Sequence, residues 1–383
     1  MTIRLGKLII SKKTALAIAM PPGILFFTLI AIFFGKGYNI NVTQRTVDKT
    51  GMLVVKSQPD GAKIYLDNEW KSATPFTFSN LRPKTYLVRV EKDGFSTWEK
   101  PVNVYPELVT DITSVLVSAT PKLEPLTYGG AASPSYSDSA HAIAYGTQNS
   151  KPGIWVLPVG KPLPITLFQS NPSLVMPDTE TTKYSKAVSY NWSPIGDQLL
   201  VKITDEDYRL IDVNQSKELE QASTSADILN AWSDEITKKK VSFLEKQTIT
   251  ADLAQIATAS GTLWSPDGLK FAYKVEENGS TVLKIHNMEK PTPIDEKTDY
   301  VTLTAATGTT LSAYIWYPDS YHLVLKDGNS LYLVRIDGTN KTEIYSGVIN
   351  GEQFFVTPDG NKVIINASFK KDATSELYAI SLR

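Results

Sequence analysis

One short phrase recurs down the second half of this sequence, and it restricts the possible folds more than any other feature. It reads Trp192-Ser193-Pro194, Trp264-Ser265-Pro266-Asp267-Gly268, Trp316-Tyr317-Pro318-Asp319 and Val356-Thr357-Pro358-Asp359-Gly360, with a weaker copy at Tyr136-Ser137-Asp138. Each copy precedes an apolar run such as Lys270-Phe271-Ala272-Tyr273, then a turn and a second run such as Leu331-Tyr332-Leu333-Val334. The unit is clearest from Tyr314 to Tyr345. Pro318 stops a strand because it has no amide hydrogen to donate, and Asp319 supplies a turn. Asp327-Gly328 and Asp337-Gly338 then separate alternating apolar runs, a strong hairpin signal. Four antiparallel strands per unit, repeated along the chain, predict the blades of a β-propeller.

The anchors Tyr136, Trp192, Trp264, Trp316 and Val356 lie 56, 72, 52 and 40 residues apart. A blade takes about 40 to 50 residues, so the 72-residue interval holds extra chain. Residues 197–260 contain no Gly or Pro, and Trp232, Ile236, Phe243, Ile249, Leu253 and Ile256 recur at helical spacing. A helical insertion is expected over 228–259. The alternative is a sixth, degenerate blade around Trp232-Ser233-Asp234. About five blades are expected over 121–383. The last unit ends one strand short, and Leu123 to Tyr128 is available to supply that strand and close the ring, leaving no open edge.

The N-terminal part is different in kind. Residues 14–34 carry no charge and are long enough to cross a bilayer's hydrocarbon core, and Pro21-Pro22 is tolerated in such a span. Arg4, Lys7, Lys12 and Lys13 precede the run without any acid, whereas only Lys36 and Arg45 follow it closely. The positive-inside rule then makes 1–13 a cytoplasmic tail and 14–35 a single transmembrane helix, with the bulk of the chain extracytoplasmic at the cytoplasmic membrane. The segment 33–38 offers no small-residue cleavage site, so an uncleaved signal anchor is favoured over a signal peptide. Residues 36–50 read as a linker. From residue 36 onward the chain has 35 basic and 40 acidic residues and no basic patch, which argues against nucleic acid as a partner.

Residues 51–117 read as a small antiparallel β module, a sandwich. Strands are expected at 52–57, 62–67, 76–80, 85–92 and 108–117, with turns at Pro59-Asp60-Gly61 and Asp93-Gly94. The run from Ser57 through Pro59, Asp60, Gly61 and Ala62 to Asp67, with Thr74-Pro75, Leu81-Arg82-Pro83 and Val90 to Phe95, resembles a PEGA domain. Asp60 stands where that family has Glu, and Lys84 where it often has Gly. The propeller phrases look like those of TolB-like and WD40-like propellers. The resemblance implies a cell-envelope or signalling-associated protein and carries over no catalytic residue.

There is no cysteine, hence neither a disulfide framework nor a thiolate metal site. His141, His286 and His322 are far apart and lack ligand spacing, and no Gly-x-Ser-x-Gly elbow or phosphate-binding glycine loop is present. The Asp residues of the phrase read as turn residues and its Trp residues as blade core. No catalytic residue, cofactor or metal is expected. The function expected is a non-catalytic, membrane-anchored envelope protein that binds a protein or a cell-wall or surface glycan, with partner contact sought at the helical insertion. The alternatives are a five-bladed polysaccharide-active enzyme, which needs two carboxylates about 5 to 9.5 Å apart, and a sensory ectodomain.

Overall fold

The computed structural model describes all residues except 1–2, 6–7, 11, 36–37, 42–45, 161–170, 221–223, 306–312 and 370–373. For the helix and strand residues among 3–15, 19, 30, 33–41 and 46–48 it describes the backbone alone. The chain divides into two compact units, the second holding most of 116–383.

In the first unit the helix α1, Lys12–Gly35, covers the uncharged run. Short antiparallel ladders pair Ile3–Leu5 with Leu8–Ile10 and Tyr38–Asn41 with Thr46–Lys49. The membrane span expected over 14–35 is not supported by the structure: among the described residues no helix is long and apolar enough to cross a membrane.

The module after it is a sandwich of two sheets. One has the order Trp98–Val104, Lys84–Glu91, Lys63–Leu66, Glu69–Ala73, and the other Val109–Val115, Gly51–Gln58, Phe76–Leu81. Alternation buries one face of each strand: Leu53, Val55, Ile64, Val88, Val90 and Val102 are fully buried between the sheets. The expected all-antiparallel arrangement fails at one pair. Val109–Val115 runs parallel to Gly51–Gln58, in register from Val109 opposite Met52. The physical reason is that five strands intervene between the two, a crossover long enough for a parallel pair.

Among the described residues the second unit contains five four-stranded antiparallel sheets. The first blade is Ala132–Ser137, Ala142–Thr147, Gly153–Pro158 and Ser173–Pro177. The second is Ser189–Trp192, Gln198–Lys202, Tyr208–Asp212 and Lys217–Leu219. The third is Leu263–Trp264, Lys270–Glu277, Ser280–Asn287 and Asp299–Thr304. The fourth is Tyr314–Trp316, His322–Asp327, Ser330–Arg335 and Thr342–Ser346. The fifth takes Phe354–Val356, Lys362–Ala367 and Glu376–Ser381 from the end of the chain and Leu123–Pro125 from its beginning, with Leu123 opposite Ile380.

The apolar core lies between blades. Ala144, Ile154, Val156 and Tyr184 pack on Leu199, Val201 and Ile211, joining the first two blades. Leu283 and Ile285 meet Trp316 and Leu323, joining the third and fourth. Ile143, Tyr145 and Leu157 meet Ile364 and Leu377, joining the first and fifth, so the ring is closed by packing as well as by a strand. A latch secures the closure. Glu376 accepts hydrogen bonds from the Thr127 hydroxyl (2.6 Å) and from the amides of Gly129 (2.7 Å) and Gly130 (2.8 Å). The Leu377 amide in turn donates to the Thr127 hydroxyl oxygen at 2.9 Å.

Two helices occupy the interval between the second and third blades: α2, Ser225–Leu244, and α3, Ala251–Thr258. A capping box starts α2, with the Thr224 hydroxyl and the Asp227 carboxylate each taking a backbone amide of the other residue. Trp232 lies inside α2, so the degenerate-blade alternative does not hold. Leu244 and Ala257 are buried against Phe271 and Met288 of the third blade, with Leu253 and Ile256 packed alongside.

Candidate functional site

The repeated turn is where the sequence concentrates its motifs. In the third blade the Ser265 hydroxyl oxygen accepts the Lys270 amide (2.9 Å), and Asp267 accepts the Leu269 amide (2.9 Å). In the fifth, Thr357 replaces the serine and accepts the Lys362 amide (3.1 Å), while Asp359 accepts the Asn361 amide (3.0 Å) and its side-chain amide (2.6 Å). The second blade has Ile195 where the others have Asp, and Asp197 takes over, accepting the Ser193 hydroxyl at 2.7 Å. A hydroxyl and a carboxylate thus close the loop between first and second strands in the second, third and fifth blades. Pro194, Pro266, Pro318 and Pro358 occupy the turn itself, where no amide is needed. Gly268 and Gly360 hold φ of 69° and 66°, a conformation that a Cβ disfavours.

In the fourth blade the same turn is buried and charged. Asp319 accepts the amides of Tyr321 (2.8 Å) and His322 (3.0 Å), and its other oxygen meets His322 Nδ1 at 2.7 Å. Burial pushes the Asp319 carboxyl up, but the charge and hydrogen bond of His322 and the two amides outweigh it and hold the group below the usual carboxylate range. Tyr317 replaces the serine. Its buried hydroxyl donates to the Gly360 carbonyl of the next blade (2.7 Å) and is pushed up by that burial. Neighbouring turns are also bonded elsewhere: the Ser139 hydroxyl donates to the Pro194 carbonyl (2.6 Å), and the Asp267 amide to the Ser320 hydroxyl oxygen (3.1 Å).

Each phrase tryptophan is likewise held. Trp192 Nε1 donates to the Ser135 carbonyl (3.0 Å) and Trp316 Nε1 to the Leu263 carbonyl (3.0 Å), in both cases the first strand of the preceding blade. Trp264 Nε1 donates to the Ala257 carbonyl (2.7 Å), so α3 stands where a preceding first strand would be. The weak copy at Tyr136 lacks an indole and instead lays its ring 5.7 Å from that of Phe355 in the fifth blade. First strands of adjacent blades are therefore neighbours around the ring, which makes them the innermost strands. None of the five carries an Asp, Glu, His, Lys or Arg.

One cluster was not expected from the sequence. Lys270 is fully buried, bonds Asp267 at 3.0 Å and Glu289 more closely still, and lies 4.2 Å from the centre of the Tyr321 ring. Tyr321 in turn bonds Glu289 at 2.8 and 2.9 Å. The cluster joins the third and fourth blades and pairs the buried ammonium with two carboxylates, which is how a buried lysine remains tolerable. The sequence signal is a lysine opening an otherwise apolar strand directly after a motif turn.

In the sandwich, Pro59, Asp60, Gly61 and Ala62 form a turn pinned by Thr74. The Thr74 hydroxyl oxygen accepts the Ala62 amide (2.9 Å), its carbonyl accepts the Gly61 amide (2.9 Å), and its amide donates to the Ala62 carbonyl (2.8 Å). Gly61 has φ of 76°, and Lys92 Nζ caps the Asp60 carbonyl at 2.7 Å. These motif residues are turn and core residues of a fold. Among the described residues no group of three or more His, Cys, Asp or Glu could hold a metal ion. His286 pairs with Asp299 at 2.7 Å in the third blade and His322 with Asp319 in the fourth, while His141 sits in a turn of the first.

Fold and motif geometry define a small two-sheet sandwich and a closed five-bladed β-propeller whose repeated residues hold turns. Residues 50–120 match the family model described as PEGA domain. No curated protein matches the sequence. Among solved structures, oligogalacturonate lyase from Vibrio parahaemolyticus is similar at 12% identity and TM-score 0.30, covering 78% of this chain and 87% of that one. TolB from Acinetobacter baumannii is similar at 12% identity and TM-score 0.25, with coverage of 77% and 59%. A chain of the mitotic checkpoint complex is similar at 15% identity and TM-score 0.36, with coverage of 69% and 92%. At these scores the likenesses carry no argument, and the propeller stands on its own five sheets.

Proposed function

We propose that this chain is a non-catalytic, single-pass, membrane-anchored protein of the cell envelope. Its N-terminus is cytoplasmic and its bulk extracytoplasmic, where the PEGA domain and the propeller bind a protein or a cell-wall or surface glycan. The observation that carries the non-catalytic reading is that the repeated carboxylates are each engaged in their own turn, while the innermost strands have no Asp, Glu, His, Lys or Arg. A glycoside-cleaving centre needs two carboxylates converging about 5 to 9.5 Å apart, and those strands supply none. The anchoring reading rests on the uncharged run 14–34 and on α1, whose described apolar side chains, Leu16, Ile24, Phe26, Phe27 and Leu29 among them, are exposed without favouring one face.

The test is a pull-down with the purified full chain on isolated wall polymer and on an envelope extract, with product analysis of the polymer. Saturable retention of polymer or of one defined protein, without release of soluble saccharide, is expected. Saccharide release that disappears on substitution of a carboxylate overturns the non-catalytic reading, and retention of neither class overturns the binding reading.

A further inference from the structure

The helical insertion has one half that serves the fold and one that does not. α3 is covered by the third blade, whereas α2 is tied down at its C-terminal end, through Leu244 and through Phe243, whose ring lies 5.9 Å from that of Trp264 and which keeps part of its surface exposed. Along α2, Leu229, Ile236 and Phe243 are exposed at 39%, 45% and 37%, and Trp232 is half-buried between the first two. Steps of seven, with Trp232 three residues after Leu229, put these side chains on one stripe of the helix. Such a narrow seam at heptad spacing is the pattern that packs against another helix.

The charges on α2 say which helix. Residues 225–235 contain Asp227, Asp234 and Glu235 and no base, and residues 236–244 contain Lys238, Lys239 and Lys240 and no acid. Laid parallel on a copy of itself, acid meets acid and base meets base. Laid antiparallel, the acidic half of each copy faces the basic half of the other. The seam is also symmetric about its middle, with Leu229 seven residues before Ile236 and Phe243 seven after. A two-fold axis at Ile236 sets Ile236 on its own copy, Leu229 on Phe243, and Glu235 beside Lys239, the self-complementary pattern that an isologous interface requires.

We propose that the protein self-associates through α2, as an antiparallel helix pair centred on Ile236. The seam is one helix long, about 30 Å, so the pair is a weak and reversible one. The same acid-to-base gradient also complements the dipole of the helix itself, and charge swaps separate the two causes.

The absence of native cysteine makes the test clean. Single-cysteine full chains carrying Ile236→Cys, Leu229→Cys or Asn230→Cys are oxidised in detergent micelles and scored for covalent dimer. Ile236→Cys crosslinks to itself; Leu229→Cys does not, but does so when mixed with a Phe243→Cys chain; Asn230→Cys, on the opposite side of the helix, stays monomeric. In sedimentation velocity, Glu235→Lys weakens the dimer by about tenfold, and Glu235→Lys with Lys239→Glu restores it. Self-crosslinking of Leu229→Cys as efficient as that of Ile236→Cys overturns the antiparallel arrangement. Ile236→Cys crosslinking no better than Asn230→Cys, or a double swap that fails to restore the dimer while α2 stays helical by circular dichroism, overturns the proposal.

Discussion

Replacing Glu376 with alanine opens the latch that ties the two ends of the propeller together, and the structure sets the size of the effect. The carboxylate accepts three hydrogen bonds, from Thr127, Gly129 and Gly130, all from the segment that leads out of the closing strand. A hydrogen bond to a charged group contributes about 1.5 to 3 kcal/mol when buried. Gly129 is exposed, so water replaces its bond at little cost, while Thr127 and Gly130 are buried. The expected loss is about 2 to 3 kcal/mol, short of the full sum because the Leu377 amide still holds Thr127. For a unit of this size that is on the order of 5 to 10 °C in melting temperature. Differential scanning calorimetry of the full chain reads it, with Glu352→Ala as the control. Glu352 pairs with Lys326 at 3.0 Å but is largely exposed, so its loss shifts stability by less than about 1 kcal/mol. Equal melting temperatures for Glu376→Ala and wild type refute the reasoning that ring closure depends on this latch.

Three further outcomes follow from the repeated turns. Lys270→Met leaves Glu289 without its buried cation and costs about 3 to 5 kcal/mol in urea unfolding, and adding Glu289→Gln recovers part of it; a neutral single variant contradicts the buried cluster. Gly360→Ala places a Cβ on the Tyr317 hydroxyl at a φ of 66° and costs more than about 1 kcal/mol, whereas Gly328→Ala, at φ 57° with open space around it, costs only the backbone strain; equal losses contradict the steric reading. Asp319 has a lowered carboxyl pKa in the fold, so it stabilises the protein above its unfolded pKa and that contribution is lost as pH falls through the lowered folded value. Wild type therefore loses more stability between pH 6 and pH 3 than Asp319→Asn does, and parallel losses for the two proteins contradict it.

What was legible in the sequence was whatever the backbone demands locally. The phrase from Trp264 to Gly268 encodes a strand end, a proline stop and a positive-φ turn, so blades are countable from the sequence. The missing fourth strand at the end of the chain pointed to Leu123–Pro125 for a similar reason, since an unpaired edge is unfavourable. Glu69–Ala73 and Trp98–Val104 escaped notice because the first is an almost fully exposed edge strand without alternation and the second contains Pro101, tolerated only because that strand is also an edge. Strand direction was illegible as well, since alternation is the same for parallel and antiparallel partners, and Val109–Val115 went the unexpected way. The Lys270 cluster joins residues 19 and 51 positions further along the chain, a proximity that no local pattern encodes. In the insertion, helical spacing located the segment but not the break between Leu244 and Ala251, which is set by packing on Phe271.

The account turns most directly on where the bulk of the chain lies. Membranes of cells that express the full chain with a C-terminal tag are washed with alkaline carbonate, and intact cells stripped of their outer layers are treated with protease. The account predicts that the tag stays in the washed membrane fraction and that external protease removes it without cell lysis. A tag that appears in the carbonate supernatant, or that external protease reaches only after lysis, contradicts it.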